Sequence, residues 1–235
     1  MVANNWKEVQ ARIRAAASRA GRNPEEVACM AVTKTFPPER IREAYQAGLR
    51  LFGENRVQEF AHKWPALRDL PGAEWHMIGH LQSNKAARAA ELFAAVDSLD
   101  SVRLAEKLNL SARLLGRKLP VLLEINMGEE AAKSGLAAES PALEELLEKA
   151  AALDHLEFRG LMAIPPFTED PEQARFFFRQ LRTLRDQIAA RALPSVGMPV
   201  LSMGMSHDFE IAVEEGSTCV RIGTAIFGER TTITI

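Results

Sequence analysis

The chain is poor in several features that would classify it at once. It has two cysteines, Cys29 and Cys219, in 235 residues, too few for the disulfide framework of a small secreted domain. No run approaches the roughly 18 uninterrupted apolar residues of a membrane-spanning helix. The N-terminal stretch carries Trp6, Lys7, Glu8, Arg12 and Arg14 and lacks the apolar core of a signal peptide. A formal net charge of −2 gives no general footprint for nucleic acid or an anionic membrane. No G-x-G-x-x-G, Walker loop or Ser–His–Asp order is present. His76 and His80 are four apart, but on a strand-to-loop segment, so they are expected as hydrogen-bonded or solvent-facing side chains and not as zinc ligands. These absences leave a cytoplasmic protein with no nucleic-acid or membrane partner and no metal centre.

What is present is alternation. Apolar residues make up 47% and charged residues 26%, the ordinary profile of a globular domain. No repeat or Pro/Gly/Ser-rich linker divides the chain, so one domain is expected over residues 1–235. Eight apolar segments of strand length stand out: Val27–Thr33, Leu51–Gly53, Glu74–Gly79, Ala94–Leu99, Val121–Asn126, Phe158–Ile164, Pro199–Met203 and Cys219–Ile222. Helical patterns lie between them. Trp6, Val9, Ile13, Ala16 and Ala20 share a face that stops at Gly21; Pro38 stands near the start of a helix through Ala47. Ser83 and Ser101 are candidate caps for helices through Glu91 and Leu114, and Asp170-Pro171 opens another. That last helix has Phe178, Leu181 and Ile188 on one face and Arg175, Arg179 and Arg182 on the other, the expected solvated side. Strands alternating with helices favour a parallel sheet. Eight of them predict an α/β fold, a single (β/α)8 TIM barrel, with the N-terminal helix as an extra element over its bottom. A doubly wound open sheet is the alternative.

In such barrels chemistry sits at the C-terminal ends of the strands, and polar features recur there: Lys34, Glu54-Asn55, His80, Asn126, the loop Ser202–Ser206, and Gly223-Thr224. Period-two alternation puts Ala28, Met30, Val32 and Lys34 on one face, and Cys219, Arg221 and Gly223 on one face of the last strand. If both faces point inward, Arg221 lies beside Lys34, Cys29 points outward, and the two cysteines cannot join. An inward arginine needs an acceptor, with Glu124 as the plain structural candidate. A lysine where a strand meets a loop can have its pKa lowered and its amine freed for Schiff-base chemistry. Loops after the last two strands form the recurring phosphate site of this fold; Gly204 and Gly223 would admit backbone N–H groups, and Ser202, Ser206 and Thr224 would add hydroxyls. An amine and a phosphate cradle together suggest pyridoxal 5′-phosphate or a phosphorylated carbonyl substrate.

Longer motifs sharpen this. Ala31–Lys34, Phe52-Gly53-Glu54-Asn55-Arg56-Val57-Gln58-Glu59, the run Trp75–Lys85, Gly160–Met162, Leu201–Asp208 and Arg221–Gly228 resemble the signatures of the pyridoxal phosphate homeostasis proteins, in register from about residue 5 to 230. The resemblance implies a barrel related to the N-terminal domain of alanine racemase, with pyridoxal 5′-phosphate carried on Lys34 as an internal aldimine. It also implies a role in binding, buffering and handing on the cofactor, with PLP-dependent apo-enzymes as recipients and no catalytic residue of its own. By carry-over Ser202, Ser206, Gly223 and Thr224 belong to the phosphate site, and Asn55, Met162 and Arg221 line the cofactor. Arg56 departs from the bulky or aromatic residue usual after that asparagine. A monomer is expected. The only tyrosine is Tyr45, in the first crossover helix, so no base is visible for the second face of the cofactor. The alternative is a racemase-like enzyme, or a Schiff-base aldolase using the same lysine and phosphate site.

Overall fold

The structure, a computed structural model, describes residues 1–128 and 134–229; the remainder of the expected 1–235 domain lies outside the described residues. In chain order these give α1 (Val2–Arg19), β1 (Ala28–Val32), α2 (Pro38–Gln46), β2 (Leu51–Glu54), α3 (Val57–Lys63), β3 (Glu74–Met77), α4 (Ala86–Leu92) and β4 (Ala95–Leu99). There follow α5 (Val102–Leu114), β5 (Leu119–Asn126), β6 (Leu136–Ala137), α6 (Pro141–Lys149), β7 (Leu156–Ala163), α7 (Ala174–Ala190), β8 (Val196–Ser202), α8 (Phe209–Glu214), β9 (Cys219–Ile222) and α9 (Thr224–Phe227).

The strands run in the spatial order β4-β3-β2-β1-β9-β8-β7-β5, and β4 also pairs with β5. That last pairing closes the sheet into an eight-stranded parallel TIM barrel. Among the described residues β6 pairs with the end of β5 alone, Ile125 beside Leu136, and stays outside the ring. It was not anticipated from the sequence, nor was α6, although Ser140 accepts a hydrogen bond from the Leu143 N–H and Pro141 occupies the first helical position.

The place of α1 differs from expectation. It packs along α8, α9 and α2, beside the barrel and not across its bottom. The physical reason is α9. A helix of four residues cannot cover the β9–β1 seam, and α1 takes the flank that a full-length eighth helix would occupy. Its buried stripe, Val2, Val9, Ile13, Ala16 and Ala17, faces inward.

Two apolar clusters result. The larger fills the shell between barrel and helices; the smaller lies inside the barrel and contains Met30, Val32, Ile78, Leu122, Met162 and Cys219. β7 and β8 need a local irregularity, with Phe158 beside Val196 but Gly160 beside Val200. The extra residues on β8 include Pro199, whose missing N–H falls in the bulged stretch.

The arginine stripe of α7 is only in part a solvated face: Arg179 stays exposed, yet all three arginines reach Glu215. Arg175 and Arg179 bind the Glu215 carboxylate at 2.8 and 3.1 Å, and Arg182 donates to its carbonyl at 3.1 Å. Glu215 is buried at the end of α8, so the stripe clamps α7 onto α8. Ser83 likewise opens a short 3-10 turn ahead of α4 and does not cap it.

Candidate functional site

Lys34 leaves β1 in a tight turn. The Phe36 N–H returns to the Thr33 carbonyl at 3.1 Å, so Lys34 and Thr35 are the two corner residues. Thr35 has φ +67°, the left-handed region at the position where a type II turn usually places glycine. A β-branched residue held there costs about 1–3 kcal/mol. Beneath the turn lies a charged cluster. Lys63 Nζ donates to the Thr33 carbonyl at 3.0 Å and to Glu54 at 2.9 Å, and pairs with Glu59 at 2.7 Å. The Thr33 hydroxyl also donates to Glu54, and the Thr35 N–H donates to Glu59 at 2.6 Å. Burial pushes the Glu54 carboxyl above its usual range, against the pull of Lys63 and Thr33.

The sheet register decides what stands next to Lys34. Val32 is paired with Gly53 of β2, so Asn55 comes level with Lys34 two residues further on. Asn55 is pressed from the other side by Gly79: a Cβ there would lie 2.8 Å from the Asn55 Cα, so only glycine permits this approach. The Asn55 Oδ1 is buried and has no hydrogen-bond partner among the described residues. On the opposite flank β9 pairs with β1, Met30 beside Arg221. Phe36 stacks on Phe227 at 4.6 Å, tying the lysine turn to α9. The α9 carbonyls are fixed in turn by Arg40, which reaches Phe227, and by Asn5, which reaches Ile226.

Arg221 projects into the barrel and is 3% exposed. Its guanidinium donates to Ser202 Oγ and to the Ala163 carbonyl, each at 2.8 Å. Among the described residues its hydrogen bonds do not go to Glu124, which instead accepts from Ser134 at 2.9 Å. The second Glu124 oxygen is buried without a partner among the described residues. Burial lowers the Arg221 pKa, with Asp97, Asp208 and Glu124 pulling it back. Met162 pairs with Ser202 across β7 and β8, so Met162, Ser202 and Arg221 form one group in the barrel's upper interior.

The loop after β8 bends back to α9. Ser206 Oγ accepts the Ala225 N–H at 3.2 Å, next to Gly223 and the exposed Thr224. Ser202, by contrast, is fully buried and serves Arg221. Gly204 has a packing task that its sequence context did not suggest. At φ +92° it packs on α8, where a Cβ would meet that of Ala212 at 2.5 Å. The loop therefore needs glycine for packing. His207 is held against Phe167 and bonds the Thr168 carbonyl at 3.1 Å, fixing the loop after β7.

The remaining histidines are structural or surface groups. His76 Nδ1 sits 3.1 Å from both oxygens of the buried Asp97, and His80 faces solvent beside Asp100 at 3.0 Å. Among the described residues no group of His, Cys, Asp and Glu could hold a metal ion, and no helix is long and apolar enough to cross a membrane. Cys29 and Cys219 are free; Cys29 packs against the outer shell and Cys219 lies inside the barrel.

The lysine turn, an orphaned acceptor, a buried guanidinium and a hydroxyl-bearing loop thus lie together at the C-terminal end of the barrel. The family described as alanine racemase, N-terminal domain, matches residues 5–231. The pyridoxal phosphate homeostasis protein of Aquifex aeolicus is 47% identical over 93% of this chain and 94% of its own length. That of Escherichia coli is 44% identical over 97% of each chain. The chain belongs to this family. Among solved structures, PipY of Synechococcus elongatus with PLP bound superposes with a TM-score of 0.83 at 38% identity, covering 97% of this chain and 100% of that one. An alanine racemase from Streptomyces coelicolor shares the fold at 20% identity, with a TM-score of 0.68, and this chain covers 58% of its length. In this chain the lysine turn after β1 and the loops that follow β8 and β9 bring segments far apart in sequence to one end of the barrel. The clamp of Glu54, Glu59 and Lys63 around Thr33 and Thr35 was missed by sequence reasoning. Glu54 and Glu59 fall within a motif recognised there, but only the fold shows that they meet Lys63.

Proposed function

We propose that this chain binds pyridoxal 5′-phosphate at the C-terminal mouth of the barrel, attaches it covalently through Lys34, and holds it for delivery to other proteins without turnover of its own. The single observation that carries this is convergence. Lys34 and Asn55 stand level just beyond the ends of neighbouring strands, and the Phe36–Phe227 stack brings the lysine turn against the Ser206–Thr224 corner. PipY, which has PLP bound, is a full-length relative, and this supports the reading.

The residues fit the group. Asn55 Oδ1 is a buried acceptor in need of a donor, and a ring hydroxyl supplies one. Ser206, Thr224 and the Thr224 N–H at the start of α9 offer donors to a phosphate; the Ala225, Ile226 and Phe227 N–H groups are taken by Ser206 and Gly223. Met162 gives an apolar wall. Arg221, held by Ser202 and Ala163, would supply a fixed, permanently charged donor if the ring nitrogen faced it. Bound, the cofactor supplies an electrophilic aldehyde and an electron-withdrawing ring. A guanidinium at the ring nitrogen disfavours protonation there and weakens the sink on which racemases depend.

Tyr45 also supports a non-catalytic role. It lies near the C-terminal end of α2, remote from the mouth, with its hydroxyl donating to the Pro71 carbonyl at 2.8 Å. The setting is cytoplasmic, the chain acts as a monomer, and apo-enzymes that use the cofactor are the recipients. The test is borohydride reduction of the protein incubated with pyridoxal 5′-phosphate, followed by peptide mass mapping. A pyridoxyl group on Lys34 is expected. One found only on another lysine, such as Lys85, overturns the assignment.

A further inference from the structure

We infer that Lys63, with Glu54 and Glu59, positions Lys34: the cluster fixes both peptide groups that flank the lysine and so aims its side chain into the mouth. The inference rests on the reading of Lys34 as the attachment residue. The geometry is reciprocal. The carbonyl before Lys34, that of Thr33, accepts from Lys63 at 3.0 Å, and the N–H after it, at Thr35, donates to Glu59 at 2.6 Å. Glu59 and Lys63 are themselves paired at 2.7 Å on successive turns of α3. Lys34 is thereby suspended between two ends of one ion pair. Glu54 anchors that pair to the barrel wall, accepting from Lys63 at 2.9 Å and from the Thr33 hydroxyl at 2.7 Å.

Three features separate this from an ordinary packing cluster. Lys63 is a lysine with only 9% of its side chain exposed, and Glu54 has none; such groups are seldom buried unless paired, and here the pairing also takes in the Thr33 carbonyl and, through Glu59, the Thr35 N–H. The turn they hold is one that its sequence does not favour, because Thr35 occupies a left-handed position where glycine would be unstrained. A glycine there would also leave the backbone free to swing. The structure retains the strained residue and restrains it from outside, which keeps the lysine on one heading. Finally, the same turn carries Phe36, stacked on Phe227 of α9 at 4.6 Å. The clamp therefore sets the lysine relative to the Ser206–Thr224 corner, the distance that matters for a ligand anchored at both ends.

The test compares wild type with Lys63→Met, Lys63→Arg and Glu59→Gln in the full chain. Glu59 is partly exposed, so its variant stays folded if Lys63→Met does not. Two quantities are read. Amide exchange of the peptide spanning Thr33–Phe36, without cofactor, reports the turn; it should quicken at least tenfold in Glu59→Gln and Lys63→Met. The rate at which added pyridoxal 5′-phosphate becomes reducible onto Lys34 reports aim. It should fall at least tenfold in both, with partial rescue in Lys63→Arg. Acetylation of Lys34 by acetic anhydride, which needs no anchored approach, should change less than twofold relative to the exposed Lys7. Variants with a loosened turn but a wild-type rate of attachment would show that the cluster is structural only, and would overturn the inference. An equal loss in attachment and acetylation would do the same. A wild-type protein that forms no adduct on Lys34 would instead remove the functional reading, and this inference with it.

Discussion

Replacing Thr224 by alanine tests whether the corner at α9 reads a phosphate. The side chain is exposed, so its removal leaves no cavity and costs the fold little. If the hydroxyl donates to an anion, the lost bond is of the charge-assisted kind, worth about 1.5–3 kcal/mol. At 1.4 kcal/mol per tenfold, retention of pyridoxal 5′-phosphate should weaken roughly 10- to 150-fold. Ser206→Ala is a less clean change. Its Oγ already accepts the Ala225 N–H at 3.2 Å, so the substitution removes a cap as well as a donor, and a further stability loss of about 0.5–2 kcal/mol follows. The double variant should lose roughly 10²- to 10⁴-fold in retention if the terms add. Titration with pyridoxal 5′-phosphate and with unphosphorylated pyridoxal, followed by absorbance, separates the two readings. Pyridoxal should bind wild type and Thr224→Ala alike, because it has no anion to lose. Equal losses for both ligands would show that Thr224 does not read the phosphate, and the corner would have to be assigned to something else.

Gly79→Ala should be costly at a distance from any ligand. The new Cβ would lie 2.8 Å from the Asn55 Cα, and the backbone must shift; about 1–3 kcal/mol lower stability by denaturant titration is expected, together with weaker cofactor retention. Acid stability should report on Glu215. Burial alone would raise its pKa, but hydrogen bonds from Arg179 and Arg175 outweigh this and hold it below the usual range. A depressed carboxylate stabilises the fold above its unfolded pKa of about 4.3 and loses that contribution as pH falls through the folded value. Glu215→Gln should thus be less stable at neutral pH and should show a shallower decline between about pH 5 and 3; an unchanged slope would mean the arginine clamp carries no charge energy. Both thiols should react slowly with a disulfide reagent under native conditions and fully after unfolding. Burial pushes the Cys219 thiol up to about 12 and the Cys29 thiol well above its usual range. Fast native labelling of either would place it wrongly.

The sequence by itself determined the barrel and which residues stand at the C-terminal ends of its strands. Alternation of strand-length and helical segments is a local signal, and the closing β4–β5 pairing is the outcome that eight parallel strands with helical crossovers favour. Inward parity of Met30, Arg221 and Cys219 was likewise legible, because side chains alternate with period two along any strand. What the sequence left open depends on which surfaces meet. The flank taken by α1 follows from the shortness of α9, and α9 is short only in relation to the seam it fails to cover. The α7 arginines read as solvated until α8 brings Glu215 beneath them. Gly204 looked like a phosphate glycine, and only the approach of Ala212 shows the packing that requires it. The clamp beneath Lys34 joins residues from β1, β2 and α3 through contacts of 2.6–3.0 Å. No spacing rule encodes such a contact, because it exists only once the three elements are packed.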